Sequence, residues 1–277
     1  MDKVTDSNNI LDFFVDINDP RIDRTKAYNL IDIIIIAICT VVCGAQTFVE
    51  MEEIGKSMEI WLKKFLDLRY GIPSHDTFGR VFSLINPDEF KQCFINWIQA
   101  VSKITDGEIV AIDGKTLRRS YDKKNNKSAI HMISAWASTN NLVLGQLKVN
   151  EKSNEITTIP KLLELLDIKG CIITIDAMGC QKKIAEKVID SNADYILAVK
   201  GNQPTLHTEI VDFFDQAVAS DFTQIDFEHT QTIENSHGRK EIRDYYIVNG
   251  LSWLNCQKEW KGLQSIGMTQ STRIIND

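Results

Sequence analysis

Two aspartates of this chain occupy nearly the same local sequence. In V-A-I-D-G and I-T-I-D-A, an apolar run is followed by an acid and then by a small residue; the acids are Asp113 and Asp176. Short apolar runs are typical of buried parallel strands, and open α/β sheets bind ligands outside the carboxyl ends of their strands. If the two strands are neighbours, the carboxylates lie close together and repel each other unless a cation lies between them. Oxygen ligands favour Mg²⁺ or Mn²⁺, so the pattern predicts a metal site.

Two other interpretations compete with a metal site. An aspartate at the end of a strand is often only a turn or helix-cap residue. The segment A-I-D-G-K-T-L also looks like the D-x-D-G-T motif of haloacid-dehalogenase-type phosphatases. In that motif the nucleophile falls at position 111, which is Ala111, and Lys115 precedes Thr116. The phosphatase interpretation therefore lacks its nucleophile.

A basic segment follows the first aspartate directly. Residues 115–127 carry six cations and one acid; the cations are Lys115, Arg118, Arg119, Lys123, Lys124 and Lys127. Such a run is usually a solvated loop, but next to a metal site it is suited to bind phosphate. We expect Lys115, Arg118 and Arg119 to contact DNA.

Two later motifs add candidate DNA contacts. Lys200, in K-G-N-Q, follows an apolar strand at the same predicted sheet edge as the acids, although a helix-start turn explains this motif equally well. In H-G-R-K-E-I-R, four residues alternate and therefore share one face of a strand: His237, Arg239, Glu241 and Arg243. That face is either a solvated edge or a DNA-binding surface.

The elements that position these residues differ between two predicted domains. Residues 1–104 have apolar residues at helical spacing and short turns, which predicts a helical domain. Residues 105–277 predict three strands, then helix, strand, helix and strand, an order used by ribonuclease-H-like folds. The fold class expected is therefore α/β, a ribonuclease-H-like mixed sheet with flanking helices, preceded by a helical domain.

Composition narrows the environment of the protein. The net charge of −7 disfavours a surface that is basic throughout, so nucleic-acid binding would require a local basic patch. Six cysteines without metal-ligand spacing suggest a reducing, cytoplasmic compartment. The apolar segment 30–45 is shorter than the ~20 residues that span a bilayer and contains Asp32, which predicts a buried helix and no membrane span.

Several motifs, in order, resemble those of the ISAs1-type insertion-sequence transposases, the group that includes H-repeat-associated proteins. The matching segments are A-I-D-G-K-T-L-R-R-S, H-M-I-S-A-W, N-E-I-T-T-I-P-K-L-L, I-T-I-D-A-M-G-C-Q, A-V-K-G-N-Q-P and S-H-G-R-K-E-I-R. The helical front, with F-F-V-D-I-N-D-P-R, is similar to the accessory domain of that family. The resemblance covers nearly the whole chain.

The resemblance implies a DDE mechanism in which two aspartates and a glutamate hold metal ions for attack on a DNA phosphodiester. It implies Asp113 as the first acid, Asp176 as the second, Mg²⁺ or Mn²⁺ as cofactor and double-stranded DNA as partner. A homodimer and a bacterial, nucleoid-associated location are expected by the same analogy. No segment like the family's late W-x-I-E-N helix is present, so we expect a catalytic domain that is truncated at its C-terminus. Glu241 is a weak candidate for the third acid.

Three functions stay open on the sequence alone. The first is a transposase that cuts and joins the ends of an insertion sequence. The second is a truncated, inactive remnant that binds DNA or a full-length transposase as a regulator. The third is a nuclease of the same fold without end-specific joining.

Overall fold

The computed structural model describes residues 9–22, 26–101, 106–117, 120, 129–139, 142–149, 154–236 and 239–275. The chain divides into two compact units, residues 1–103 and 104–277. The predicted residues Arg118, Arg119 and His237 lie outside the described ranges.

The described part of the first unit is helical. Its helices are α1 (Ile10–Phe14), α2 (Leu30–Val42), α3 (Phe48–Leu62), α4 (His75–Leu84) and α5 (Pro87–Val101). Polar residues begin several of them: the side chain of Thr47 accepts a hydrogen bond from the Glu50 amide at the start of α3, and Ser74 does the same for the Thr77 amide at the start of α4.

The centre of this unit is α2, as its isoleucine-rich sequence predicts. Ile33, Ile34, Ile35 and Ile36 are fully buried, which requires neighbours on every side of the helix. Asp32 is buried as well, and burial raises the pKa of its carboxyl. Among the helices that the structure describes, none has the length and apolar character needed to cross a membrane. The prediction of a buried helix is confirmed.

The second unit contains two sheets and three α-helices in its described residues. The elements in chain order are β1 (Ile109–Thr116), β2 (His131–Ala137), β3 (Leu142–Val149), α6 (Glu155–Leu165), β4 (Ile172–Ile175), α7 (Lys182–Asp190), β5 (Asp194–Leu197), α8 (Pro204–Ala219), β6 (Phe227–Ser236), β7 (Arg239–Asn249) and β8 (Ser265–Ile275).

The first sheet has the strand order β3-β2-β1-β4-β5. Strands β1, β2 and β3 pair antiparallel, whereas β4 and β5 run parallel to β1. Helix α6 contacts β2 and β3, and α7 contacts β5. The predicted mixed α/β sheet with flanking helices, preceded by a helical region, is confirmed. Strands β1 and β4 are neighbours, which is the condition that the predicted metal site required.

The predicted end of β1 is wrong. The sequence pattern ended this strand at Asp113-Gly114, but it continues to Thr116. Parallel pairing with β4 stops at Ile112, whereas antiparallel pairing with β2 continues from Asp113 to Thr116. The apolar run of β1 therefore ends where its pairing with β4 ends, and not where the strand ends. The opposite edge of the strand stays paired with β2 for four more residues.

The second sheet is antiparallel, with the order β6-β7-β8. The end of this sheet that includes Val248 and Ile266 packs on α8. The shared core includes Phe214, Val248, Leu251, Trp260 and Ile266. Aromatic stacking adds to this core, since Phe222 and Tyr246 lie with ring centroids 4.8 Å apart and an interplanar angle of 8°. The opposite end of the sheet carries mostly polar residues, among them Glu234, Glu241 and Arg273.

Candidate functional site

The strand register places the two predicted acids side by side. Ile112 of β1 pairs with Ile175 of β4, and the next residue on each strand is Asp113 and Asp176 respectively. Neighbouring strands lie about 4.8 Å apart, so the two backbones enter the same small region at the carboxyl edge of β4. Both side chains are exposed, with Asp113 at 59%.

Asp113 points to the face of the sheet that carries Lys115. The Lys115 Nζ lies 3.5 Å from Asp113 Oδ2, and the lysine side chain is 79% exposed. An ion pair this long and this exposed contributes little to stability. The lysine is therefore able to leave the carboxylate when a cation or a phosphate arrives.

Asp176 caps the turn that follows β4. Its Oδ1 accepts hydrogen bonds from the amides of Met178, at 3.1 Å, and Gly179, at 3.4 Å. These bonds fix the orientation of the carboxylate, which is what a metal ligand requires and also what a plain helix cap does. The cap interpretation weighed for the sequence is thus part of the observed geometry.

The K-G-N-Q motif holds this same turn. Asn202 Nδ2 donates to the Ala177 carbonyl at 2.5 Å, and Gln203 Nε2 donates to the Cys180 carbonyl at 2.9 Å. Lys200, which precedes them, is exposed just beyond β5. The sequence pointed to the lysine of this motif but missed its two amides, because their carbonyl partners lie more than twenty residues away and no spacing rule reveals them.

A cleft of about 970 Å³ opens beside Asp176. The strands β4 and β5, the helix α8 and the strands β7 and β8 all contribute to its lining. Apolar side chains dominate it, including Ile196, Ile210 and Phe214. On β7 the lining includes Tyr245, Tyr246 and Ile247.

The alternating motif on β7 forms a charged network. Arg239, Glu241 and Arg243 lie on one face of β7, and Glu241 pairs across the sheet with Arg273 of β8. The Glu241 carboxylate accepts hydrogen bonds from Arg243 Nη2 at 2.7 Å and from Arg273 Nη2 at 3.1 Å. The hydrogen bond from Arg273, together with the nearby arginine charges, lowers the pKa of Glu241.

Glu241 therefore sits in a different sheet from the two aspartates and already has cationic partners. In the part of the chain that the structure describes, no group of three or more His, Cys, Asp or Glu side chains could hold a metal ion together. The described residues bring together Asp113 and Asp176, but not Glu241. Arg273 is a cation that the sequence reasoning missed, since only the register of β8 reveals its position.

The neighbouring acids suit a hard divalent cation in ligand type, but they supply only two of the three carboxylates expected of a DDE centre. The pair offers oxygen ligands only and is open to solvent, which favours Mg²⁺ or Mn²⁺ over zinc. Among the described residues, Asp113 and Asp176 are the pair at this edge that could hold such an ion.

Comparison with known families identifies the class of protein. The family described as "Transposase DDE domain" matches residues 104–248, and the family described as "DDE_Tnp_1-associated" matches residues 11–98. The chain therefore belongs to the DDE transposase family, and the resemblance noted in the sequence is confirmed.

Relatives with similar sequences carry transposase names. The protein named "Putative transposase YncI" of Escherichia coli O157:H7 is 47% identical over 95% of this chain and 67% of its own length. The protein named "H repeat-associated putative transposase YhhI" of Escherichia coli (strain K12) is 44% identical over 90% of this chain and 65% of its own length. The chain thus spans about two thirds of the length of these relatives.

One solved structure gives a weaker likeness. It is titled "Cryo-EM structure of piggyBac transposase synaptic complex with hairpin DNA (SNHP)", and it matches with a TM-score of 0.37 and 12% identity. The match covers 84% of this chain and 53% of that one.

Proposed function

We propose that this chain cleaves and transfers DNA strands of an insertion sequence, with Asp113 and Asp176 as the metal-binding carboxylates. The observation that carries the proposal is the register of β1 and β4, which brings two exposed acids of a DDE-family chain to one sheet edge. A bound Mg²⁺ or Mn²⁺ would supply charge stabilisation and an acidified water at this edge. The two carboxylates orient that ion, and Asp176 does so with its own orientation fixed by two backbone amides.

The cations around the pair would bind the phosphate backbone. Lys115 and Lys200 lie at the same sheet edge as the acids, and the sequence adds Arg118 and Arg119 just after Lys115. Phosphate contacts of this kind position DNA without reading its sequence. They also reconcile a net charge of −7 with a DNA partner, because the positive charge is local.

The second sheet would supply a further DNA contact. Arg239, Arg243 and Arg273 share one face of it, and His237 precedes them in the sequence. Arginine is suited to bidentate phosphate binding, and Glu241 holds two of these arginines in defined positions. In this proposal Glu241 orients arginines and does not bind metal. A homodimer on DNA and a cytoplasmic, nucleoid-associated location belong to the same proposal.

A second candidate function is a regulator that binds DNA or a full-length transposase without cutting. The observation that favours it is the ion pairing of Glu241, which leaves the described residues with two acids at the candidate centre. Phosphoryl transfer depends mostly on positioning and on charge stabilisation, so the absence of a third carboxylate would slow it by orders of magnitude.

A cleavage assay separates the two functions. The purified chain is incubated with Mg²⁺ and with DNA that carries the ends of the element, alongside the variants Asp113→Asn and Asp194→Asn. Asp194 is the matched control because it is exposed at the opposite end of the parallel strands, where β5 begins. Cutting by the wild type and by Asp194→Asn, but not by Asp113→Asn, supports the enzyme. Salt-dependent binding without cutting supports the regulator.

A further inference from the structure

The segment of β1 that carries Asp113 is supported on one side only. From Val110 to Ile112 this strand pairs with both β2 and β4, but from Asp113 to Thr116 it pairs with β2 alone. A strand with a free edge has fewer backbone hydrogen bonds to keep it in place. Holding a carboxylate in a fixed position at this point therefore requires another constraint.

Three side chains from three elements form a hydrogen-bonded chain at the end of this segment. Thr116 of β1 and His131 of β2 are directly paired, and the Thr116 Oγ1 lies 3.0 Å from His131 Nδ1. The other ring nitrogen, Nε2, lies 2.5 Å from Oε1 of Glu155, in the first turn of α6. A neutral imidazole satisfies both contacts when the threonine hydroxyl donates to Nδ1 and Nε2–H donates to the carboxylate.

The three hydrogen-bonded side chains differ in burial, from the mostly buried Glu155 to the exposed Thr116. The side chain of Glu155 is 15% exposed and that of His131 is 29% exposed, whereas Thr116 is open to solvent. Helix α6 is itself well anchored, since Ile159 and Leu162 are buried and Asn154 forms a capping box with Thr157. The glutamate, through His131 and Thr116, therefore connects the part of β1 that lies beyond its pairing with β4 to a well-packed helix.

Gly114 is what lets the glutamate reach the histidine. A Cβ atom built on Gly114 would overlap the Glu155 carboxylate and would lie 3.0 Å from His131 Nε2. Gly114 and Thr116 share one face of β1, and Asp113 points to the other. An alanine at this position would therefore require the Glu155 carboxylate to move.

We propose that Glu155, His131 and Thr116 are positioning residues that brace the Asp113 segment of β1. The brace acts on the backbone from the face opposite to the Asp113 carboxylate, so none of the three touches the metal. The proposal rests on the proposed function only in taking Asp113 as a metal ligand. It also accounts for two motifs that the proposed function leaves unused, H-M-I-S-A-W and N-E-I-T-T-I-P-K-L-L.

The first experiment compares Mn²⁺ affinity between isosteric variants. Thr116→Val removes the hydroxyl at constant shape, and Thr116→Ser keeps it. Residues that orient metal ligands typically change metal affinity by about 10- to 100-fold when they are replaced. We expect Thr116→Val to weaken Mn²⁺ binding by about tenfold, near the lower limit of that range, because Thr116 is the most exposed of the three hydrogen-bonded side chains.

The controls for this experiment use the same chemistry. Thr116→Ser should bind Mn²⁺ like the wild type, and so should Thr232→Val, which makes the same change at an exposed position of β6. Melting temperatures are compared to exclude unfolding. If the wild type binds Mn²⁺ and Thr116→Val binds it with equal affinity, the brace is overturned.

A double-mutant cycle tests the role of the glycine. Gly114→Ala should displace the Glu155 carboxylate and weaken Mn²⁺ binding, whereas in a Glu155→Ala background the same change should have little additional effect. Residues in one network show such non-additivity, and independent residues do not. Additive losses would mean that Gly114 acts without Glu155, and the brace would then be rejected.

A measurement without metal distinguishes failure of the brace from failure of the proposed function. Amide hydrogen exchange in residues 113–116 should be faster in Thr116→Val and Glu155→Ala than in the wild type and in Thr116→Ser. If wild-type protein binds no Mn²⁺ but this pattern of exchange appears, the proposed metal site is wrong and the brace stands. If exchange in this segment is unchanged, the brace is wrong whatever the metal affinity.

Discussion

The two sheets of the second unit place acids in opposite electrostatic surroundings. In the first sheet, Asp113 has one exposed lysine at 3.5 Å, and Asp176 is held by backbone amides. In the second sheet, the Glu241 side chain is 21% exposed and accepts hydrogen bonds from Arg243 and Arg273. An acid of the first kind can still bind a cation, whereas an acid of the second kind is already neutralised by its neighbours.

The difference arises from strand pairing. Parallel strands β1 and β4 align two residues of like charge, because both strands end their shared pairing at the same level. Antiparallel pairing aligns Glu241 with Glu234 of β6 on one side and with Arg273 of β8 on the other, and Arg243 forms ion pairs with both glutamates. Opposite charges in register stabilise a sheet, while like charges in register are unfavourable unless a cation lies beside them, as the arginines do in the second sheet. The same residue type is thus a candidate metal ligand in one sheet and an ion-pair partner in the other.

The largest effect expected from this comparison is on metal binding. Asp176→Asn should weaken Mn²⁺ affinity by at least about 100-fold, because it removes a ligand itself and replacing a residue that only orients a ligand already costs about 10- to 100-fold. Glu241→Gln should leave Mn²⁺ affinity unchanged, because this acid lies in the other sheet. Isothermal titration with Mn²⁺ measures both. A comparable loss in Glu241→Gln would abolish the distinction between the two acids and make Glu241 the third ligand.

A smaller effect is expected on the salt dependence of DNA binding. Arg243→Gln and Arg273→Gln should each lower the slope of log K against log salt concentration by about 1, since each arginine binds one phosphate. The matched control is Lys187→Gln, which removes a cation that is likewise ion-paired, with Glu164 on α6. If the control changes the slope as much as the arginine variants do, only the net charge matters and the second sheet is no DNA surface.

The smallest effect concerns the titration of Glu241. Its folded-state pKa lies below the ordinary 4.5, so its ion pairs contribute stability above pH 4.5, and that contribution is lost as the pH falls through the folded-state pKa. Arg273→Gln should raise the pKa toward 4.5, and Arg273→Lys should raise it less. Carbon NMR of the labelled carboxyl group measures this shift. An unchanged pKa in Arg273→Gln would show that Arg273 is not the main partner.

Much of the fold could be predicted from local sequence signals. The buried helix α2 follows from its run of isoleucines, and β4 from an apolar run bounded by a glycine and an acid. The extent of β1 could not be predicted in this way. Asp113, Gly114 and Lys115 are polar or small, yet pairing with β2 keeps them in the strand. The hydrophobic pattern indicates which residues are buried. The end of a strand also depends on backbone hydrogen bonds to its neighbour, which the pattern does not reveal.

The same distinction between local pattern and tertiary contact applies to the residues of the candidate site. The sequence pointed to Asp113 and Asp176 because both follow apolar runs, and it pointed to alternating charges in β7 because strand geometry has a period of two. It did not point to Arg273, Asn202 or the contact between Glu155 and His131. Each of these joins residues more than twenty positions apart, and no local pattern records such a partner.

What the sequence by itself determined was the chemical inventory and its local geometry: which acids follow strands, which cations share a strand face and which family the motifs belong to. Only the tertiary structure decided which acid has which neighbour. The reason is physical, because the tendency of a carboxylate to bind a cation depends on the charges and donors within a few ångströms of it. Those neighbours are fixed by strand order and register, which bring distant parts of the chain together.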